Sequence, residues 1–316
     1  MQSSSSSASS PGPDFRGVFS VLPTPFDASG ELDLESLGRV INLYLAAGVN
    51  GLTTLGVTSE VARLDEKERA TVLEAVIGHT DGRVPVVAGA TSNGLRTTIE
   101  YTRAAKAAGA SAVMVSPPRL ARPSSDSLTG YYAGLASAVD LPIVVQDYPP
   151  VQGFTIEPAI LARIAREVPA ARAIKLEDPP TPWKTARILG EAAPGLRILG
   201  GLGGGFLFEE LVAGASGTMT GFAYPEILVR VVGLYEAGKV EEAASVFYRY
   251  VPLMRFEFQQ VLGVALRKEV LRRRGALADA TIRAPGAKLD KATLAALDQL
   301  LGWLRREYKE DSWISI

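Results

Sequence analysis

Ala173-Ile174-Lys175-Leu176 sets a single lysine inside a run otherwise fit for a buried strand. A parallel strand covered on both faces reads as continuous apolar sequence. A lysine there either reaches solvent from the strand end or is placed for chemistry. An amine flanked by apolar residues is desolvated, which favours the neutral nucleophile that condenses with a ketone. The plainer reading is an ion pair with Glu177 or Asp178, just downstream.

Outward from this strand, short runs rich in Val, Ile and Leu alternate with longer segments of helical period, and Gly, Pro, Ser or Thr stand at the joins. Strands are expected at 18–22, 51–55, 84–88, 112–115, 143–146, 173–176, 197–199 and 217–220. Between them 34–47, 66–79 and 97–108 repeat apolar residues every three or four positions, as crossover helices do. Eight βα units predict an α/β fold, a (β/α)8 barrel over 15–236. A doubly wound sheet would carry a glycine-rich nucleotide turn after its first strand, where this chain has Pro23-Thr24-Pro25-Phe26. Residues 237–316 show helical patterns only, over 240–250, 251–274 and 291–307, and are expected to pack on the barrel as an appendage. The Ser-rich opening, 1–14, reads as a disordered tail.

Composition narrows the function. The chain has 316 residues, 47% of them hydrophobic and 21% charged, a net charge of −1, one histidine and no cysteine. A cysteine-based metal site, a zinc enzyme and a Ser-His-Asp hydrolase are thereby disfavoured. His79 lies at a helix end, a structural setting. Without a basic block, nucleic acid is not an expected partner. No run has the roughly 18 uninterrupted apolar residues of a membrane span, so no membrane partner is expected and the cytoplasm is the expected location.

In a (β/α)8 barrel the loops after the strands form the site. After the second strand, Gly56-Val57-Thr58-Ser59-Glu60 offers backbone N–H groups and the Thr58 and Ser59 hydroxyls to a carboxylate, or else caps a helix. After the fifth strand comes Gln146-Asp147-Tyr148. Side chains alternate along a strand, so Gln146 and Tyr148 face the same way, toward the neighbouring strand of Lys175. Arg119, after the fourth strand, meets an acidic substrate if it turns inward. Gly201, in the glycine cluster 200–205, and Thr220, closing the eighth strand, complete the substrate-binding candidates. The glycine cluster suits a tight turn better than a phosphate cradle, because no basic residue accompanies it.

Taken together, Pro-Thr-Pro-Phe after strand one, Gly-x-Thr-x-Glu after strand two, Ala88-Gly89-Ala90-Thr91 with Asn93 after strand three, and the lone strand-six lysine resemble the dihydrodipicolinate synthase/N-acetylneuraminate lyase superfamily. The resemblance spans nearly the whole chain beyond the tail. It implies a Schiff base between Lys175 and pyruvate or another 2-oxo acid, whose carboxylate is held by the strand-two turn. Thr58 matches the second of the family's paired hydroxyl residues, and Val57 replaces the first. Gln146 stands where the family has its tyrosine, which leaves Tyr148, one layer higher, as the substitute acid/base. The synthase's tyrosine relay is lost at Val57, Gln146 and Arg119, and Val151 and Gln152 stand where its arginine belongs. The chain is therefore not expected to be the lysine-pathway synthase.

The expected activity is an aldolase or lyase acting through a lysine imine on pyruvate or a 2-oxo-3-deoxy sugar acid. A dehydratase using the same imine is the alternative within enzymes. A 2-oxo-acid-binding sensor or partner subunit is the alternative outside them, although a binder gains nothing from a desolvated amine. The imine is itself the electron sink, so neither metal nor organic cofactor is expected. The resemblance implies a homo-oligomer, a tetramer or dimer.

Overall fold

The computed structural model describes residues 12–316. Eight strands, β1 (Gly17–Val21), β2 (Gly51–Thr54), β3 (Val86–Gly89), β4 (Ala112–Val115), β5 (Ile143–Asp147), β6 (Ala171–Leu176), β7 (Arg197–Gly200) and β8 (Gly217–Thr220), pair in parallel in sequence order. β1 meets β8 through Gly17 to Ser20 against Gly217 to Thr220, closing the barrel. The helices are α1 (Leu34–Ala46), α2 (Glu66–Thr80), α3 (Leu95–Ala108), α4 (Ser125–Ala138), α5 (Pro149–Gln152), α6 (Pro158–Glu167), α7 (Thr181–Glu191), α8 (Leu207–Val212), α9 (Pro225–Glu236), α10 (Val240–Glu257), α11 (Gly263–Arg273) and α12 (Lys291–Glu307).

Strand alternation divides the core in two. Phe19, Val21, Val87, Ala112, Met114, Val144, Ala173, Leu199 and Met219 fill the barrel interior. Their neighbours Val18, Leu52, Val86, Val113, Val145, Ile174 and Ile198 face outward into the layer made with the helices. Both faces are buried, so the strands read as unbroken apolar runs.

The strands lie where the sequence predicts them, with ends displaced by up to two residues. β6 begins at Ala171, two residues early, where the β5 register shifts between Ile143 and Val144. The C-terminal helices differ more. A break was expected between residues 250 and 251, next to Pro252. Instead α10 runs through Pro252 to Glu257, and the chain breaks at 258–262. Phe247, Tyr250, Leu253 and Met254, on both sides of the proline, share one buried face. Their burial outweighs the single hydrogen bond that proline removes.

Of the opening segment, residues 1–11 lie outside those described, and Asp14 accepts a hydrogen bond from Arg197 at 3.1 Å. His79 has its Nδ1 3.0 Å from the Ala75 carbonyl within α2, and its ring packs against Gly38 of α1. No helix among the described residues is long and apolar enough to cross a membrane.

Candidate active site

Lys175 stands one interior layer above Ala173, opposite Gln146 of β5 and Leu199 of β7. It is 5% exposed, so it does not reach out to solvent. Its Nζ lies 3.1 Å from Glu177 Oε2, and the same oxygen accepts a hydrogen bond from Gln146 Nε2 at 2.8 Å. Glu177 is the residue that sequence reasoning undervalued. It lies two residues past Lys175, so the alternation that sets Tyr148 beside Gln146 also sets Glu177 beside Lys175, on the interior side. It is not a surface partner of the amine but a buried carboxylate sharing the barrel mouth with it.

Gly201, on β7's continuation, explains how Glu177 fits. A Cβ on residue 201 would stand 2.7 Å from both Cδ and Oε1 of Glu177. Glycine is needed because the acid occupies that space. The glycine cluster thus serves the site by making room for a side chain, and Gly201 belongs there for that reason.

Tyr148 caps the short helix α5 and is half-buried. Burial and the nearby Glu177 charge both push its phenol above the ordinary tyrosine value. The phenol therefore keeps its proton throughout the physiological range. Its N–H donates to Gln152 Oε1 at 3.1 Å, which fixes the backbone at that point.

Three of the expected substrate contacts are otherwise employed. Ser59 is buried, its Oγ donates to Leu22 O at 2.6 Å and accepts from Gly56 N at 3.2 Å, and its N–H donates to Gly56 O at 3.0 Å. Its groups fasten the turn to the end of β1, where Thr24 Oγ1 also donates to Ser59 O. Arg119 does not turn inward. It is exposed and donates to the carbonyls of Val151 at 2.9 Å and Pro150 at 3.1 Å, because α5 presents acceptors beside it. Thr220 faces away from the interior, since Met219 occupies the inward position, and its Oγ1 accepts from Gly203 N at 3.0 Å. Thr58 remains half-buried at the mouth. Its N–H and that of Val57 open a single helical turn, Val57–Ser59, and so lack intrahelical acceptors.

Behind the site, Lys184 of α7 pairs with Asp147 at 2.6 Å and Asp178 at 2.7 Å. Burial pushes the Asp147 carboxyl up, against the pull of Lys184 and of Gln152, which donates to it at 2.8 Å. No local motif announces this cluster, because Lys184 lies far along the chain from Asp147. Among the described residues, no group of three or more His, Cys, Asp or Glu is placed to hold a metal ion. A cavity of about 1020 Å³ at the opposite end of the barrel, bordered by Arg16, Asn50, Lys106, Asp140 and Arg172, includes none of the groups above.

A parallel barrel with a buried lysine and carboxylate side by side at its C-terminal mouth defines a class: the (β/α)8 enzymes whose chemistry sits on strand ends. Residues 14–303 match the Dihydrodipicolinate synthetase family, and the chain belongs to it. It is 31% identical to the L-2-keto-3-deoxyarabonate dehydratase of Azospirillum brasilense, over 92% of this chain and 94% of that one. It is 33% identical to a 4-hydroxy-tetrahydrodipicolinate synthase of Haloarcula marismortui, over 95% and 97%. Among solved structures, the dihydrodipicolinate synthase of Rhodopseudomonas palustris superposes with a TM-score of 0.87 at 33% identity, covering 92% of this chain and 98% of that one. A prophage protein of the same family from E. coli K12, in complex with pyruvate, gives 0.86 at 27%, covering 92% and 99%. Members of this family include both lyases and hydro-lyases, and the fold and family-level function inferred from the sequence stand.

Proposed function

We propose that this chain is a Schiff-base hydro-lyase that removes water from a 2-oxo-3-deoxy sugar acid. The observation that carries the reading is the contact of Lys175 Nζ with Glu177 at 3.1 Å inside the barrel mouth. Lys175 attacks the C2 ketone, water leaves, and an iminium forms that draws electrons from C3. Glu177, beside the nitrogen, takes a proton from C3, and that C–H electron pair becomes the enamine. The enamine then expels the C4 hydroxyl, which leaves as water with a proton from Tyr148. Hydrolysis of the imine frees the product. Thr58 and the opening N–H groups of its turn hold the substrate carboxylate, and Gln146 fixes the Glu177 carboxylate.

An aldol cleavage needs a base on the C4 hydroxyl instead, whereas Glu177 stands at the imine. The named activity of the Azospirillum brasilense relative agrees with dehydration. Val57, Gln146 and Arg119 at the relay positions support a reaction other than the lysine-pathway synthase's.

The test is incubation with 2-oxo-3-deoxy pentonates and hexonates, with products read by NMR and the enzyme adduct trapped by borohydride. Loss of one water without pyruvate, and a reduced adduct on Lys175, are expected. Release of pyruvate would make the chain an aldolase on the same imine. No adduct with any of these acids or with pyruvate would leave the binding-protein reading.

A further inference from the structure

The proposed chemistry depends on two groups carried by different strands: Glu177 beyond β6 and Tyr148 beyond β5. Tyr148 is followed at once by Pro149-Pro150, and Glu177, after Asp178, by Pro179-Pro180. Proline has no N–H, so the backbone ladder that joins the two strands cannot continue past the site. Its last rung is the Glu177 N–H donating to Asp147 O at 2.9 Å. Beyond that rung something else must set the separation of the acid and the phenol.

The alternation of side chains supplies it. Where Tyr148 and Glu177 face inward, their immediate neighbours Asp147 and Asp178 face outward toward the helix layer. Lys184 lies between them, 4% exposed, with its ammonium 2.6 Å from one carboxylate and 2.7 Å from the other. Asp147 is fully buried, and its second oxygen accepts from Gln152 Nε2 at 2.8 Å. Gln152 in turn holds the Tyr148 N–H through its Oε1 and takes a hydroxyl contact from Ser116 on the β4 side at 3.3 Å. The ammonium is thus a bridge between the residue before the phenol and the residue after the acid. A charge-assisted contact has narrow geometry, which is what positioning demands.

We infer that Lys184 is a positioning residue: through Asp147 and Asp178 it sets the distance between Tyr148 and Glu177, and so the efficiency of the proton transfers but not the formation of the imine. Lys175 lies inside the ladder, below the last rung, and does not depend on the bridge. The inference rests on the reading of Lys175 as the imine lysine and Glu177 as the base at C3.

Pyruvate allows the two steps to be read separately. Its imine at Lys175 is counted by borohydride reduction and mass spectrometry. Proton removal at C3 is followed by NMR as deuterium entering the methyl group from D2O, since the enamine takes its new proton from solvent. Two variants are compared with the wild type. Lys184→Met removes the bridge. Asp178→Ala breaks only the arm to Glu177 and leaves Lys184 paired with buried Asp147, so the fold is kept even where the first variant fails to fold. The expected result is near-normal trapping of Lys175 with exchange per trapped site lowered about 10- to 100-fold, the scale of a misplacement near 1 Å. A merely structural role would lower trapping and exchange together, through the fraction of folded protein. Unchanged exchange per trapped site in a folded variant overturns the inference and leaves the function intact. A wild type that forms no imine, or forms it without exchange, overturns the functional reading and this inference with it.

Discussion

At the residue scale the site centres on Glu177, in contact with Lys175 and Gln146, with Tyr148 and Gly201 beside it, and the last two and Glu177 are each open to a separate test. Glu177→Gln keeps the shape and the Gln146 neighbour while removing the proposed base. Borohydride trapping of pyruvate should persist while turnover of the sugar acid falls about 10²- to 10⁴-fold, the usual contribution of a general base. Tyr148→Phe leaves the backbone held by Gln152 but removes the proposed acid for the departing hydroxyl. Turnover should fall at least about tenfold without loss of imine, and full turnover in a steady-state assay would remove Tyr148 from the mechanism. Gly201→Ala alters no charge, yet its methyl takes the space of Glu177. Its activity loss should match that of Glu177→Gln.

The positions of Lys175, Gln146 and Tyr148 at the barrel mouth were legible in the sequence because strand alternation and loop position act locally. Glu177 was equally legible by alternation, but an acid near a lysine reads first as an ion pair. The Ser59, Arg119 and Thr220 assignments needed the tertiary structure, because each has a polar group satisfied by backbone that only the fold brings near. Val151 O, which takes the Arg119 Nε, is one such case.

At the element scale, α8 seats on β7 through an acid. Glu210 is fully buried, accepts from Thr181 Oγ1 at 2.5 Å, and its other oxygen has no partner among the described residues. Burial chiefly, with Glu209 and Glu177 adding repulsion and Thr181 opposing, pushes its carboxyl up to about 8 from the ordinary 4.5. An acid raised in this way holds its proton more tightly in the native state. Its contribution is full below about pH 4.5 and is lost as pH rises through about 8. Glu210→Gln should therefore leave stability nearly unchanged at pH 5 and raise it at pH 9 relative to the wild type, measured by urea unfolding at both. Equal stability changes at the two pH values would contradict a buried neutral acid. The strand and helix order around this contact came from apolar periodicity, which burial on two faces imposes. The path of α10 did not, because a proline marks a helix end only until packing on both sides overrides it.

At the scale of the whole molecule, the C-terminal segment is joined to the loop after β2. Glu60, buried in left-handed backbone at φ 58°, pairs with Lys268 of α11 at 2.5 Å and Arg63 at 2.8 Å, and accepts from Arg283 N at 3.2 Å. Lys268 and Arg283 also lie over the ring of Phe26 at 4.4 Å and 4.2 Å. Lys268→Met leaves a buried acid short of its nearest partner and should destabilise the fold by about 3–5 kcal/mol, as unfolding in denaturant will measure. The order of the barrel strands was readable from the sequence alone. This joint was not, because its partners lie more than 200 residues apart and no periodicity connects them.

That joint also orders events in time. A ribosome makes Glu60 early and Lys268 and Arg283 late, so a growing chain carries the turn with Thr58, fastened to β1 through Ser59, long before its C-terminal partners exist. The turn is completed last, after every barrel strand has been made. A chain whose translation stops short of Lys268 has all the groups proposed for catalysis, yet the turn that carries Thr58 is still without its C-terminal clasp.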